Sequence, residues 1–341
     1  MLERKTIWVL QGARAGDNAQ ARELASLLDA DAVTRELTFN ALHHVPNVFL
    51  GASVATLTEH SRVLLQPPWP AMVIATGKRS APVARWIKQQ SQGATRLVHL
   101  GRPRAPLSAF DLVIATPQYA LPLAANVIER NLPFATAREV DVAELGKWRR
   151  VWDGLPRPWV GVAVGNAKFP LRFGAKDIEK FASNLNGLAK VINGSLLLMA
   201  SPRTDHRLIE GIAKMLDVPH RSYGRFDRDN NPYQAALALA DRFVVTSDSV
   251  SMLSEMMNTG KPVDVFELST HPLRLQWSAK RGTAAWLSRH GFLQPPRDVS
   301  ALVRRLIVDG HVGVLGGRQG RGYVKAHEDV VVNRLAAMLK A

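Results

Sequence analysis

The stretch from Arg242 to Leu268 constrains the fold more than any other part of the sequence. A short apolar run rich in β-branched residues, Phe243 to Val245, precedes small polar residues and an apolar helical pattern that ends at Gly260. Val263 to Leu268 then returns to a strand pattern. This order of strand, polar turn, helix and strand is typical of a parallel sheet whose strands are joined by helices.

The polar turn of this stretch consists of Ser247, Asp248 and Ser249. It follows the carboxyl end of a predicted strand and precedes a helix, where open α/β sheets bind ligands. The turn therefore predicts an anion site, such as one for a phosphate. Glu255, farther along the helix, is suited to accept hydrogen bonds from a sugar diol. The alternative is that the turn only caps a core helix, since Ser and Asp are preferred N-cap residues.

The alternation of strand and helix patterns continues along all 341 residues, a length that suits two domains. We predict a first domain over residues 1–153 and a second over 154–317, with the boundary at the Pro- and Gly-containing stretch Gly154–Pro158. A final segment, 318–341, is predicted to carry a helix that packs back on the first domain. The predicted fold class is α/β, with two Rossmann-like, doubly wound parallel-sheet domains facing each other across a cleft.

The composition limits both chemistry and partners. There is no cysteine, which excludes disulfides, thiolate metal sites and cysteine nucleophiles and is compatible with a cytoplasmic protein. The net charge of +15, from 44 Lys and Arg against 29 Asp and Glu, favours an anionic partner. Because no nucleic-acid-binding motif is present, we expect a phosphorylated ligand or an anionic membrane surface rather than nucleic acid. No apolar run is long enough to span a bilayer, and the first residues do not resemble a signal peptide.

Two other kinds of site are disfavoured. The loop after the first strand is not GxGxxG, and no Tyr-x-x-x-Lys pair is present, which argues against an epimerase or dehydrogenase with a bound dinucleotide. No Asp-x-Asp follows a strand end, and the pair His43–His44 has no third ligand at zinc-like spacing. We therefore predict neither a metal nor a cofactor.

Several short stretches together carry a family resemblance. They are Gly16–Gln20, Ala75–Arg79, Gly165–Asn166, Ser201–Thr204 and Thr246–Pro262. Over nearly its whole length the chain resembles the bacterial branch of the ELM-type family, which is named for a plant mitochondrial-fission factor and whose bacterial members are described as glycosyltransferases. More widely, it resembles GT-B glycosyltransferases, which place the active site between two Rossmann-like domains.

The resemblance implies a nucleotide-sugar donor site in the second domain. Ser247, Asp248 and Ser249 would then lie beside the diphosphate of the donor, and Glu255 beside its ribose. The remaining donor residues implied by the resemblance are Gly165, Asn166, Arg203 and Thr204. An arginine fork is chemically suited to a diphosphate.

The resemblance places the sugar and the acceptor near first-domain loops. Asp17, in the loop after the first strand, is the candidate base for an inverting transfer, although capping the next helix is an equal alternative. The candidates for contact with the acceptor or the sugar are Lys78, Arg79, Arg102, His271 and Arg274. Basic loops gathered on one sheet edge would form a positive rim, and ordinary turns with solvated arginines are the alternative.

The function that follows is a metal-independent glycosyltransferase of the cell envelope. It would move a sugar from a nucleotide-diphosphate sugar to an anionic or lipid-linked acceptor, as a cytoplasmic protein that can lie peripherally on the inner face of the membrane. The alternative is a non-catalytic GT-B-like scaffold that recruits a partner protein in a fission or membrane process.

Overall fold

The computed structural model describes residues 4–134, 140–224, 231–271, 282–293, 297–320 and 328–340. The chain divides into two compact units. Unit 1 comprises Met1–Ala135, Gln276–Asp298 and Ala326–Ala341, and unit 2 comprises Thr136–Leu275 and Val299–Lys325.

Strands and helices follow one another along the described residues, mostly in alternation. The strands are β1 (Thr6–Gln11), β2 (Asp31–Glu36), β3 (Met72–Thr76), β4 (Arg96–Leu100), β5 (Leu112–Ala115), β6 (Val127–Glu129), β7 (Trp159–Val164), β8 (Leu171–Arg172), β9 (Ser195–Ala200), β10 (His220–Tyr223), β11 (Arg242–Thr246), β12 (Val263–Phe266), β13 (Ser269–Thr270) and β14 (Gly313–Val314). The helices are α1 (Ala15–Ser26), α2 (Asn47–Leu50), α3 (Glu59–Val63), α4 (Gly77–Gln90), α5 (Val142–Trp152), α6 (Ala175–Ile192), α7 (His206–Lys214), α8 (Tyr233–Leu239), α9 (Val250–Asn258), α10 (Gly282–Arg289), α11 (Val299–Val308) and α12 (Glu328–Lys340).

Unit 1 is built on a six-stranded parallel sheet in the order β2-β1-β3-β4-β5-β6. Side chains of β1 alternate between two cores. Trp8 and Leu10 pack with residues of α4, whereas Ile7 and Val9 pack with residues of α1 and α12. Such a strand must be apolar on both faces, and each buried aliphatic side chain contributes about 1.5–3 kcal/mol to stability.

Unit 2 contains a second six-stranded parallel sheet, in the order β10-β9-β7-β11-β12-β14. Numbered within the unit, this is the order 3-2-1-4-5-6 of Rossmann sheets. One face packs on α6 and α7, and the other on α5 and α8. A separate antiparallel ribbon pairs β8 with β13. The predicted fold class, with two doubly wound parallel sheets, is confirmed.

The segments that make up each unit differ from the predicted domain ranges. Helix α5 lies in unit 2 rather than before the boundary, because Trp148 and Trp152 pack with Trp159 of β7, and Trp152 Nε1 donates to the Tyr223 hydroxyl at 2.7 Å. The chain also returns to unit 1 for α10 before α11 and β14 complete unit 2. Helix α12 packs on unit 1 through Val331, Leu335 and Leu339, which recur at helical spacing.

No helix among the described residues is both long enough and apolar enough to cross a membrane.

Candidate functional site

In unit 2, the sheet order is β10-β9-β7-β11-β12-β14, so the strand order reverses between β7 and β11. The loop after β7 begins with Gly165, and its backbone N–H donates to the Thr246 hydroxyl at 2.8 Å. This hydrogen bond joins the loop after β7 to the turn after β11. Rossmann sheets bind their ligands outside the carboxyl ends of the two strands at such a reversal.

Asp248 fills the space between these two loops. Burial raises the pKa of its carboxyl, whereas hydrogen bonds from the Thr246 hydroxyl, from its own N–H and from that of Asn166, and the charge of Arg203, lower the pKa. Among the described residues, the buried Asp248 Oδ1 has no hydrogen-bond partner. A Cβ on Gly165 would overlap the Asp248 carboxylate. Position 165 therefore requires glycine as long as Asp248 occupies this place.

The side chains of the polar turn do not cap α9. Ser249 is the N-cap residue by backbone position, but its side chain makes no capping hydrogen bond. The Ser247 hydroxyl instead accepts the Leu268 N–H at 3.0 Å, which ties the turn to the end of β12. Within the described residues, the turn therefore does not cap α9 through its N-cap side chain, and the capping alternative is wrong at that position.

The loop after β9 is fastened to the same edge of the sheet by Thr204. Its hydroxyl accepts the Ser201 N–H at 3.0 Å and lies 2.9 Å from the carbonyl oxygens of Val164 and Gly165. Thr204 therefore positions the loop. Arg203 in the same loop is exposed, and its charge acts on Asp248.

Glu255 lies on the inward side of α9 beside Tyr233, the first residue of α8. Burial raises the pKa of Glu255, and the Tyr233 hydroxyl lowers it. Burial, together with Glu255, raises the pKa of Tyr233 well above its ordinary value. The sequence did not single out Tyr233, because a tyrosine at the start of a short helix has no distinctive pattern.

In unit 1, Asp17 lies where the strand order reverses between β1 and β3. Helix α1 begins at Ala15 with Arg14 as its N-cap residue, so the alternative that Asp17 caps this helix is wrong. The Asp17 carboxyl faces the start of α4, where a Cβ on Gly77 would lie 3.4 Å from its Oδ2. Gly77 has a φ of +73°, a conformation that favours glycine.

His99 joins two strand-end loops of unit 1. Its Nδ1 lies 3.2 Å from the Gly101 carbonyl and its Nε2 lies 3.1 Å from the Gly77 carbonyl. The ring is fully buried, and burial lowers its pKa to about 4, although both carbonyl contacts raise it. A neutral imidazole donates to only one of these carbonyls.

The predicted basic contacts of unit 1 differ in accessibility. Lys78 is partly exposed and donates to the carbonyls of His43 and His44 at 3.2 and 3.1 Å. Arg79 is exposed and lies 2.8 Å from His43 Nε2. Arg102 is only 9% exposed and donates to the Tyr119 carbonyl.

Two further cations lie near these residues. Arg104 is exposed, and its charge acts on Lys78 and Arg102. Arg297 donates to the Tyr119 hydroxyl at 2.7 Å. No sequence pattern indicates this bond, because 178 residues separate Arg297 from Tyr119.

The remaining sequence candidates belong to other parts of the chain. His271 follows the β8–β13 ribbon, where its N–H donates to the Pro170 carbonyl at 2.7 Å and its ring lies 5.8 Å from that of Phe169. Arg274 lies outside the described residues. Within the described ranges, no group of three or more His, Asp or Glu side chains is arranged to hold a metal ion.

Three comparisons relate the chain to known proteins. Mitochondrial fission protein ELM1 of Arabidopsis thaliana is 31% identical over 240 residues, which cover 63% of this chain and 56% of the plant protein. Uncharacterized protein RP120 of Rickettsia prowazekii (strain Madrid E) is 25% identical over 298 residues, or 76% of this chain and 82% of that protein. The solved ADP-heptose LPS heptosyltransferase II of E. coli has a TM-score of 0.46 and 12% identity, over 76% of this chain and 84% of that one.

The structural likeness is too distant to transfer an activity, and the match to the plant protein spans little more than half of that protein's length. The match to a family model covers more of this chain than the match to the plant protein does. The model described as mitochondrial fission ELM1 matches residues 15–290, and the chain therefore belongs to this family.

Proposed function

We propose that the chain is a metal-independent glycosyltransferase that uses a nucleotide-diphosphate sugar as donor and a cell-envelope acceptor that is anionic or lipid-linked. One observation carries the proposal. At the point where the strand order of unit 2 reverses, α9 begins without a side-chain cap, beside the loop after β7 and within reach of the Arg203 charge. Uncapped N–H groups and an arginine are suited to a diphosphate.

Each residue has a separate part in the proposed donor site. The diphosphate would lie against the first turn of α9, between Ser249 and Arg203, and its ribose near Glu255. Ser247 and Thr204 would act indirectly, because their hydroxyls hold the surrounding loops. The raised pKa of Asp248 makes its carboxyl easier to protonate, which reduces its repulsion of a diphosphate.

In an inverting transfer, the acceptor oxygen bonds to the anomeric carbon of the sugar as its proton passes to a base. The bond from that carbon to the diphosphate breaks, and the diphosphate leaves with the electron pair. We propose Asp17 as the base, because its carboxyl does not cap α1. The helix N-terminus and Arg203 would stabilise the charge on the leaving diphosphate.

Binding of nucleoside diphosphates, measured by calorimetry over a panel of bases, tests the donor site. Arg203→Gln should weaken binding about tenfold or more, the usual effect of losing a hydrogen bond to a charged group. Arg207→Gln is the matched control, because Arg207 is also exposed and lies in α7, just beyond the same loop. If the wild-type chain binds no nucleotide of the panel, the donor-site assignment is wrong.

The alternative is a non-catalytic scaffold that recruits a partner protein, and the name of the family supports it. Nucleotide release or sugar transfer in fractionated lysate separates the two functions. An enzyme should release nucleotide in a fraction that supplies its acceptor, and Asp17→Asn should stop the release while nucleotide still binds. A scaffold should show no release in any fraction.

A further inference from the structure

Two strand-end loops of unit 1 and the segment before α11 bring four cations together near Tyr119. Arg102 and Arg297 lie 5.9 and 4.6 Å from the centre of the Tyr119 ring. Arg297 is held there by its bond to the Tyr119 hydroxyl and by the backbone bond from Asp298 to Gln118, at 2.9 Å. We call Lys78, Arg102, Arg104 and Arg297, together with Tyr119, the Tyr119 cluster.

The cations of the Tyr119 cluster repel one another. Burial lowers the pKa of Lys78, and the charges of Arg104 and Arg79 lower it further. Burial also lowers the pKa of Arg102 to about 10, with Arg104 and Arg297 adding to the effect and Tyr119 opposing it. A fold that holds like charges together stores an unfavourable interaction, which an anion bound among them would relieve.

At the opposite end of the same strands, the cations are paired with a carboxylate. Where β4 begins, Lys88 and Arg96 pair with the Asp111 carboxylate at 2.6 and 3.5 Å. In the Tyr119 cluster, by contrast, Lys78 donates to backbone carbonyls and Arg297 to a phenolic oxygen. Such neutral acceptors orient a cation without neutralising its charge.

Tyr119 adds a hydrogen-bond donor to the Tyr119 cluster. Burial raises the pKa of its hydroxyl, the charges of Arg297, Arg102 and Arg14 lower it, and Asp17 raises it. Its bond from Arg297 uses an oxygen lone pair rather than the hydroxyl proton. The cluster therefore combines guanidinium groups, an ammonium group and a hydroxyl, which match the several acceptor oxygens of a phosphate.

We propose that the Tyr119 cluster is a phosphate-binding site and that it receives a phosphomonoester group of the acceptor. The phosphate site depends on unit 1 alone, whereas its assignment to an acceptor rests on the proposed function. The phosphomonoester can belong to a soluble molecule or to a lipid headgroup, and the shared chemistry is a dianion with at least three exposed oxygens.

Calorimetric titration of the full chain with inorganic phosphate, at constant ionic strength, tests the site. Arg104→Gln and Arg297→Gln should each weaken binding about tenfold. Arg4→Gln should change phosphate binding less than about twofold, because Arg4 precedes the amino-terminal end of β1, whereas the cluster lies beyond the carboxyl ends of the strands. Equal affinity in wild type and both cluster variants overturns the proposal, as does an equal loss in Arg4→Gln.

Arg104 and Arg297 are exposed, so both variants should fold, and circular dichroism checks this. Arg297→Lys keeps the positive charge and should retain more affinity than Arg297→Gln; a lysine variant as weak as the glutamine variant, in a folded protein, argues against an electrostatic site.

Two further titrations identify the source of the phosphate. Glycerol 3-phosphate represents a soluble phosphomonoester, and phosphatidylcholine vesicles that contain phosphatidic acid represent a lipid. Binding of either that depends on Arg104 and Arg297 supports the site and names its source, and binding of neither refutes the acceptor assignment. If the cluster variants weaken nucleoside diphosphates but neither phosphomonoester, the cluster serves the donor and the acceptor assignment is wrong. Arg203→Gln should leave phosphomonoester binding at the cluster unchanged, which separates this inference from the donor site.

Discussion

His99 should make the stability of unit 1 fall when the solution is acidified. The ordinary pKa of a histidine is 6.5 and that of buried His99 is about 4, so the unfolded chain binds a proton over a pH range in which the folded chain does not. Stability is therefore full above pH 6.5 and is lost as the pH falls towards 4. Between pH 7 and pH 5 this one group removes about 2 kcal/mol from the free energy of unfolding.

Hydrogen–deuterium exchange of peptides from β3 and β4 measures this effect within unit 1. The measured rates are first corrected for the intrinsic exchange rate at each pH. For amides that exchange only through unfolding, a loss of about 2 kcal/mol in the free energy of unfolding makes exchange roughly 30-fold faster at pH 5 than at pH 7. His99→Gln should remove this factor, because glutamine keeps one donor and one acceptor but does not titrate. His60→Gln, an exposed histidine of α3, should keep the factor.

Burial and the two carbonyl contacts have opposite effects on the pKa of His99, and the exchange experiment shows which effect is larger. Protonation would let both ring nitrogens donate to the carbonyls of Gly77 and Gly101, whereas burial disfavours the charged ring. We expect burial to dominate because the ring is fully enclosed. If the corrected exchange rate of the wild type changes between pH 7 and pH 5 no more than that of His99→Gln, the two carbonyl contacts offset the effect of burial on the pKa of His99. That result would refute the reasoning.

Three other changes have defined outcomes. Gly165→Ala should destabilise unit 2 by about 1–3 kcal/mol, because its Cβ meets the Asp248 carboxylate, and Asp248→Ala in the same chain should restore part of this loss in thermal melts. Asp264→Ala should cost about 3–5 kcal/mol in urea unfolding, because it leaves Arg242 unpaired in a mostly buried setting; a cost below about 1 kcal/mol would mean that water reaches the pair. Asp17→Asn should lower the rate of sugar transfer about 10²–10⁴-fold with unchanged nucleotide affinity, and a lost affinity would instead place Asp17 in binding.

The central strands were predictable because a parallel strand covered on both faces must be a continuous apolar run. The two-residue strands were not predicted, because so short a segment carries no apolar run of its own. For example, β14 has two residues, Gly313 and Val314, and exists only because it pairs with β12. No local pattern marks such a strand, since its stability comes from its neighbour.

The loops of the candidate site could be predicted from the sequence, but the contacts that their side chains make could not. Small polar residues after a strand indicate a turn, and they look the same whether they contact a ligand or another loop. Ser247 and Thr204 make hydrogen bonds to elements distant in the sequence, and only the folded chain brings those partners to them. Arg297 and Tyr119 meet for the same reason.

The position of α12 has a consequence for synthesis on the ribosome. Val331, Leu335 and Leu339 fill one core of unit 1 beside strands made some 300 residues earlier, so that core stays incomplete until α12 has been translated. Unit 2 contains its own strands from β7 to β14 before that point and can finish folding first. The usual order, in which amino-terminal domains mature first during translation, should therefore be inverted. During that interval the open face of the first sheet is exposed to chaperones and to aggregation.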